Sequence, residues 1–130
     1  MLDGVDLRVG APRPLIDSLV GTGFGYVASR RRVQGRIVAE LLPQVRDIRR
    51  VGCASLDLCT IAAGTLDLYY ERGLQPWDLA AGALVAQEAG ALVTGLRGQA
   101  AQESMTVAGP TGSLEELRTF LEALEADSDG

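Results

Sequence analysis

Trp77-Asp78-Leu79-Ala80-Ala81-Gly82-Ala83-Leu84-Val85-Ala86-Gln87-Glu88-Ala89-Gly90-Ala91 is the stretch on which the architecture turns. Trp77 to Ala89 is apolar on nearly every side, which predicts a buried helix rather than a surface one. A strand rich in Leu and Tyr, Leu66 to Glu71, precedes it across a Gly73 to Pro76 connection, and Leu92-Val93-Thr94 follows as another. A helix framed by two strands is the unit of a layered α/β domain.

The pattern continues on both sides. Toward the N-terminus, Ala54 to Ala63 reads as a compact apolar helix that Gly64 can close, and Asp47 to Gly52 as a short arginine-bearing strand. Val33, Ile37 and Leu41 repeat along one face of an earlier helix, which Ser29 can cap and Pro43 stops. Its outer face carries Arg30, Arg31, Arg32 and Arg36. Leu15 to Thr22 has strand character and ends in the turn Gly21-Thr22-Gly23-Phe24-Gly25. The first residues, Leu2-Asp3-Gly4-Val5 with Leu7-Arg8-Val9, read as a hairpin around Asp-Gly, so the chain opens in mid-sheet. Toward the C-terminus, Met105-Thr106-Val107 is a further strand. Ser113 and Glu116 form a capping box for a last helix striped by Leu114, Leu117, Leu121 and Leu124. Residues 1–124 are expected to form one α/β unit with a mostly parallel sheet, and 125–130 a flexible acidic tail.

Composition narrows the chemistry. With 130 residues and 47% hydrophobic content, the chain is of a size to build one core. A net charge of -5 leaves little to attract a phosphate backbone, so nucleic acid is not an expected partner. No histidine is present, which removes Ser-His-Asp and Cys-His arrangements and histidine zinc sites. Chemistry must run on carboxylates, hydroxyls, thiols or metal-bound water. Cys53 and Cys59 lie roughly 9 Å apart on a helical reading at about 1.5 Å per residue, too far for a disulfide. Free thiols suit a reducing cytosol. No apolar run is long enough to span a bilayer and no signal segment is evident, so a soluble cytoplasmic protein without membrane contact is expected.

Glu71 at a strand end and Asp78 in the first turn of the next helix bring two carboxylates to one edge of the sheet, where α/β folds build sites. The helix dipole keeps Asp78 ionised and ready for a divalent cation. The alternative is that Asp78 only caps the helix and Glu71 is a solvated strand end. Arg50-Val51-Gly52-Cys53-Ala54-Ser55 leads a strand into a helix whose free N–H groups can hold an anion or hydroxyl; taken by itself, the stretch reads first as a tight connection that needs small residues for packing. No histidine is available to activate Cys53. Gly21 to Gly25 is a poor match to a dinucleotide fingerprint because Tyr26 stands where the third glycine belongs. The arginine run reads as a solvated helix face. Tyr69, Tyr70 and Trp77 read as core or interface aromatics.

The Trp77 to Ala91 stretch resembles the C-terminal signature of the inositol monophosphatase (sugar phosphatase) family. Thr22-Gly23-Phe24, Arg46-Asp47-Ile48-Arg49-Arg50, Gly52-Cys53-Ala54-Ser55-Leu56-Asp57-Leu58-Cys59 and Asp67-Leu68-Tyr69-Tyr70-Glu71 fall in the family's order and spacing. The bacterial, particularly actinobacterial, inositol-1-monophosphatase branch is the most similar. The resemblance implies a layered α/β fold and Mg²⁺-dependent hydrolysis of a phosphomonoester such as myo-inositol 1-phosphate. It also implies that Asp78 is a catalytic metal ligand close to the substrate hydroxyls, that Glu71 binds inositol hydroxyls, and that Gly52, Cys53 and Ala54 contact the ring. Cys53 departs from the usual Ser or Thr, and Ser55 from a common Ala. The family's Gly-Glu-Glu and Asp-Pro-x-Asp-Gly-Thr segments, which hold the other metal ligands, do not occur.

The resemblance is therefore to a C-terminal half. Its expected partners are the N-terminal half, the phosphomonoester and, in the full-length form, a second copy. Alone, the chain is expected to be inactive and to expose an apolar surface. Histidinol phosphate, 3′-phosphoadenosine nucleotides and fructose 1,6-bisphosphate are substrates of relatives, while Glu71 favours inositol phosphates. The competing expectation is a noncatalytic binding or scaffold module that retains the fold.

Overall fold

The computed structural model describes residues 7–129. It contains β1 (Leu19–Gly21), α1 (Ala28–Leu41), β2 (Asp47–Arg49), α2 (Ala54–Ala62), β3 (Leu68–Glu71), α3 (Pro76–Glu88), β4 (Leu92–Thr94), β5 (Thr106–Gly109) and α4 (Thr111–Ala123). The order of strands and helices is the one the sequence predicts. The five strands form one sheet in the order β2-β1-β3-β5-β4. β1 pairs in parallel with β2 and β3, while β5 runs antiparallel to both β3 and β4. Four strands thus share a direction and β5 alone opposes it, in keeping with the mostly parallel sheet expected from the alternating elements.

Two apolar layers cover the sheet. On one face, Ile37 and Leu41 of α1 and Leu114, Leu117 and Leu121 of α4 pack against Val20, Leu68, Tyr70 and Val107. On the other, Leu58 and Ile61 of α2 and Ala86 of α3 pack against Tyr69 and Ala108. Alternation along β3 sends Leu68 and Tyr70 to the first layer and Tyr69 to the second. The helix after β1 lies on one face and those after β2 and β3 on the other, so the chain diverges at the carboxyl ends of these strands. A crevice opens there.

Several local expectations change. The Leu2-Asp3-Gly4-Val5 arm of the expected hairpin lies outside the described residues; Leu7-Arg8-Val9 forms no strand, and the Val9 N–H donates to Ala89 O instead. Leu15–Asp17 coils into a 3-10 turn after Pro14, which delays β1 to Leu19. α1 begins at Ala28 without a side-chain cap, so Ser29 lies inside the helix. α4 begins at Thr111 after Pro110, which puts Ser113 too far in to cap it. The two polar groups serve the incoming chain: Ser113 Oγ accepts the Arg13 N–H at 2.7 Å, and Glu116 Oε1 the Leu15 N–H at 2.9 Å.

The expectation that α3 is buried all round is corrected. Gly82 and Ala86 are buried, but Trp77 is 76% and Leu84 56% exposed. One stripe of the helix meets α2, and the opposite face has no covering element among the described residues. The acidic tail makes contacts of its own. Ala126 is 2% exposed, Asp127 pairs with Arg97, and Asp129 is held by Arg30 and Arg72. These are an apolar anchor and charge-assisted bonds. No helix among the described residues is long and apolar enough to cross a membrane.

Candidate active site

The crevice at the strand ends is a cleft of about 410 Å³ lined by the segments 23–26, 50, 52–55, 71–74 and 78. Gly52, Cys53, Ala54, Glu71 and Asp78, the residues singled out from sequence, all line it. They arrive from two junctions, Gly52, Cys53 and Ala54 between β2 and α2, and Glu71 and Asp78 between β3 and α3. Gly52 takes a positive φ of 86°, which turns the chain sharply between β2 and α2. Cys53 is then the N-cap of α2, with no side-chain cap bond, so the free N–H groups of the first turn, from Ala54 onward, are not taken up by its thiol. Both cysteines are free, as the spacing predicts, and both are exposed.

Asp78 is the third residue of α3 and completes a capping box. Its Oδ2 accepts the Gln75 N–H at 2.9 Å, and the Gln75 side chain accepts the Asp78 N–H. The capping role and the cleft position coexist, because a carboxylate has a second oxygen. Oδ1 remains for a ligand, and hard carboxylate oxygen is the donor that Mg²⁺ prefers. Among the described residues no cluster of three or more acidic or thiol side chains converges as a metal site. Asp78 fits the group as one ligand of several.

Glu71 closes β3 and turns its carboxylate toward the loop after β1. A Cβ built on Gly23 would come within 2.4 Å of Glu71 Oε1, so that glycine leaves the space the carboxylate fills. The Tyr69 hydroxyl donates to Oε1 at 2.6 Å. Burial raises the Glu71 carboxyl above its ordinary value; the Tyr69 bond and Arg50 oppose this, and Asp78 adds to it. Tyr69, buried and next to this carboxylate, is pushed well above the ordinary phenol range. Arg50 crosses the cleft to lie 5.9 Å from the centre of the Phe24 ring, a cation-π distance.

Sequence reasoning missed three features. Asp57, one turn into α2, is 1% exposed, and neither of its oxygens has a hydrogen-bond partner. Burial, with the negative charge of Glu71 adding and Arg50 opposing, pushes it up to about 6. The visible signal was an aspartate four residues before Ile61 on the buried face of an apolar helix. Arg72 lines the cleft yet is 5% exposed, because Asp129 and the carbonyls of Ser104 and Ser128 hold it. Third, the arginine run is not simply solvated. Arg30 bonds Glu103 and Asp129, and Arg31 bonds the carbonyls of Gly25 and Tyr26 at the cleft rim.

The chain is similar to known proteins across this site. A model of the inositol monophosphatase family matches residues 1–126. An inositol-1-monophosphatase of Mycobacterium leprae is 56% identical over 87 residues, 67% of this chain and 30% of that protein. A Nus factor SuhB of Pseudomonas aeruginosa is 39% identical over 126 residues, 93% of this chain and 46% of that protein. The solved structure of Mycobacterium tuberculosis SuhB matches with a TM-score of 0.81 and 45% identity, covering 94% of this chain and 47% of that one. The chain therefore spans about a third to a half of the length of these relatives. Sequence along nearly its whole length and backbone alike make this chain a member of the inositol monophosphatase family.

Proposed function

We propose that this chain supplies the hydroxyl-binding side and one metal ligand of a Mg²⁺-dependent phosphomonoesterase acting on inositol 1-phosphate. The observation that carries the reading is the convergence of Gly52, Cys53, Ala54, Glu71 and Asp78, from two separate strand-to-helix junctions, on one cleft. Glu71, held by the Tyr69 hydroxyl, presents an ionised carboxylate that accepts hydrogen bonds from ring hydroxyls. The free N–H groups at the start of α2 donate to the same ligand, with Cys53 offering a weaker thiol contact. Asp78, oriented by its bond from Gln75, would hold Mg²⁺ through Oδ1. Bound Mg²⁺ polarises the phosphoryl group and activates water. One carboxylate does not complete such a site, so turnover requires ligands from outside these residues.

Phosphate release from inositol 1-phosphate, with and without Mg²⁺, tests this for the chain alone and with the N-terminal half of a mycobacterial relative added. The expected result is no turnover alone and Mg²⁺-dependent turnover on complementation, lost in Asp78→Asn. Robust turnover by the isolated chain would overturn the incomplete-site reading. A noncatalytic binding module is the second reading, favoured by the exposed Trp77 and Leu84 on α3 and by the relative that bears the name Nus factor.

A further inference from the structure

Gly23 of the Gly21-Thr22-Gly23 turn leaves room for one carboxyl group, and a second stands beside Gly21. A Cβ on Gly21 would strike Leu66 Cδ2 at 2.7 Å and make ordinary contact with Asp57 Oδ1 at 3.4 Å and Tyr69 Cδ1 at 3.5 Å, whereas one on Gly23 would strike Glu71. Asp57 stands on α2 and Glu71 on β3, and Tyr69 lies between them in the core. The Tyr69 hydroxyl is committed to Glu71, so it gives Asp57 nothing. Asp57 Oδ1 and Oδ2 are both buried and find no donor. The charged and titratable groups facing the pair are Arg50 from the loop before α2, Tyr69 from β3 and Cys53 at the start of α2, with Asp78 of α3 facing Glu71.

A carboxylate with a donor is easier to keep ionised than one without, and two buried carboxylates in mutual range do not ionise independently. We propose that Asp57 is a positioning residue of the cleft: set near Glu71 and lacking a donor, its carboxyl takes the first proton as the pH falls and so keeps Glu71 an ionised acceptor for ligand hydroxyls. The turn that superficially suggests a dinucleotide loop is then the segment beside which this pair stands. The benefit to a hydroxyl-bearing ligand rests on the phosphatase reading, whereas the order of protonation does not.

The experiment is a pH titration of the chain labelled with 13C in its Asp and Glu carboxyls, followed by NMR without ligand. Asp57→Asn and Glu71→Gln serve for assignment and coupling. In the unsubstituted chain Asp57 is expected to titrate near pH 6, above Glu71. In Glu71→Gln the Asp57 midpoint falls, because the neighbouring negative charge is gone. In Asp57→Asn the Glu71 midpoint stays where it was, because the neutral amide imitates the protonated acid. Glu71 taking the first proton would overturn the proposal, as would an Asp57 midpoint unmoved in a folded Glu71→Gln chain. If Asp57→Asn does not fold, the order in the unsubstituted chain and the Glu71→Gln shift still decide. Because no ligand is used, failure here is distinct from failure of the phosphatase assay.

Discussion

At Gly23 the missing side chain matters more than any present one, since Glu71 fills the place where a methyl group would stand. Gly23→Ala is expected to push the Glu71 carboxylate off the Tyr69 hydroxyl and to cost about 1–3 kcal/mol, which urea unfolding would read. Asp57 gives a sign that can be worked out. Its carboxyl is raised from the ordinary 3.8 to about 6 in the folded chain. Over that interval the folded state holds more protons than the unfolded one, so stability falls as pH rises through it. The ionised form costs about 3 kcal/mol relative to the protonated one. Asp57→Asn should lose this slope, gaining on the unsubstituted chain in unfolding measurements at pH 8 more than at pH 5. Asp78 separates two roles in the same way. Asp78→Asn keeps an oxygen for the Gln75 N–H and should melt within a few degrees of the parent, whereas Asp78→Ala loses the cap at about 1 kcal/mol. That Glu71, Asp78 and Gly52 to Ala54 meet at one cleft was legible because each stands at a local pattern of strand end, helix start or turn. Asp57 was not, since its meaning depends on Tyr69 and Glu71 of β3, which its own helix does not announce.

Among the elements, α3 shows the limit of a composition argument. Thirteen residues with hardly a charge read as a helix surrounded by protein, yet only the stripe through Gly82 and Ala86 is covered. Its contact with α2 depends on that glycine: a Cβ at 82 would lie 2.9 Å from Leu58 Cδ1. Gly82→Val is expected to force the helices apart and to lower stability by about 1–3 kcal/mol, seen as a lower thermal midpoint. Both helix-start misreadings have one cause. Ser29 and Ser113 are good capping types, but α1 and α4 begin earlier, after Val27 and Pro110, where backbone conformation alone starts the helix. The tail's partners were hidden for a different reason. Arg72 and Arg30, which hold Asp129, are 57 and 99 residues away in sequence. Nothing local announces such a partner.

For the whole molecule, the alternation of strands and helices was readable, but the sheet order was not. Strand order depends on which edges meet, and short apolar runs do not encode it. The exposed apolar side chains Trp77, Leu84 and Leu56, on the face formed by α2 and α3, make self-association the expected behaviour of the isolated chain. Sedimentation velocity should show species larger than a monomer at tens of micromolar, reduced in Trp77→Ser with Leu84→Lys; a clean monomer would show that the face is tolerated in water. The place of β5 has a consequence for synthesis. It is the last strand made, yet it sits between β3 and β4 and pairs with Tyr69, Tyr70 and Glu71. On the ribosome, β1, β2 and β3 emerge and can join while the far edge of β3 still has no neighbour. That open edge, bearing the residues of the cleft, persists until Gly109 is out of the exit tunnel, so stalled or truncated nascent chains should be the most prone to pair with one another.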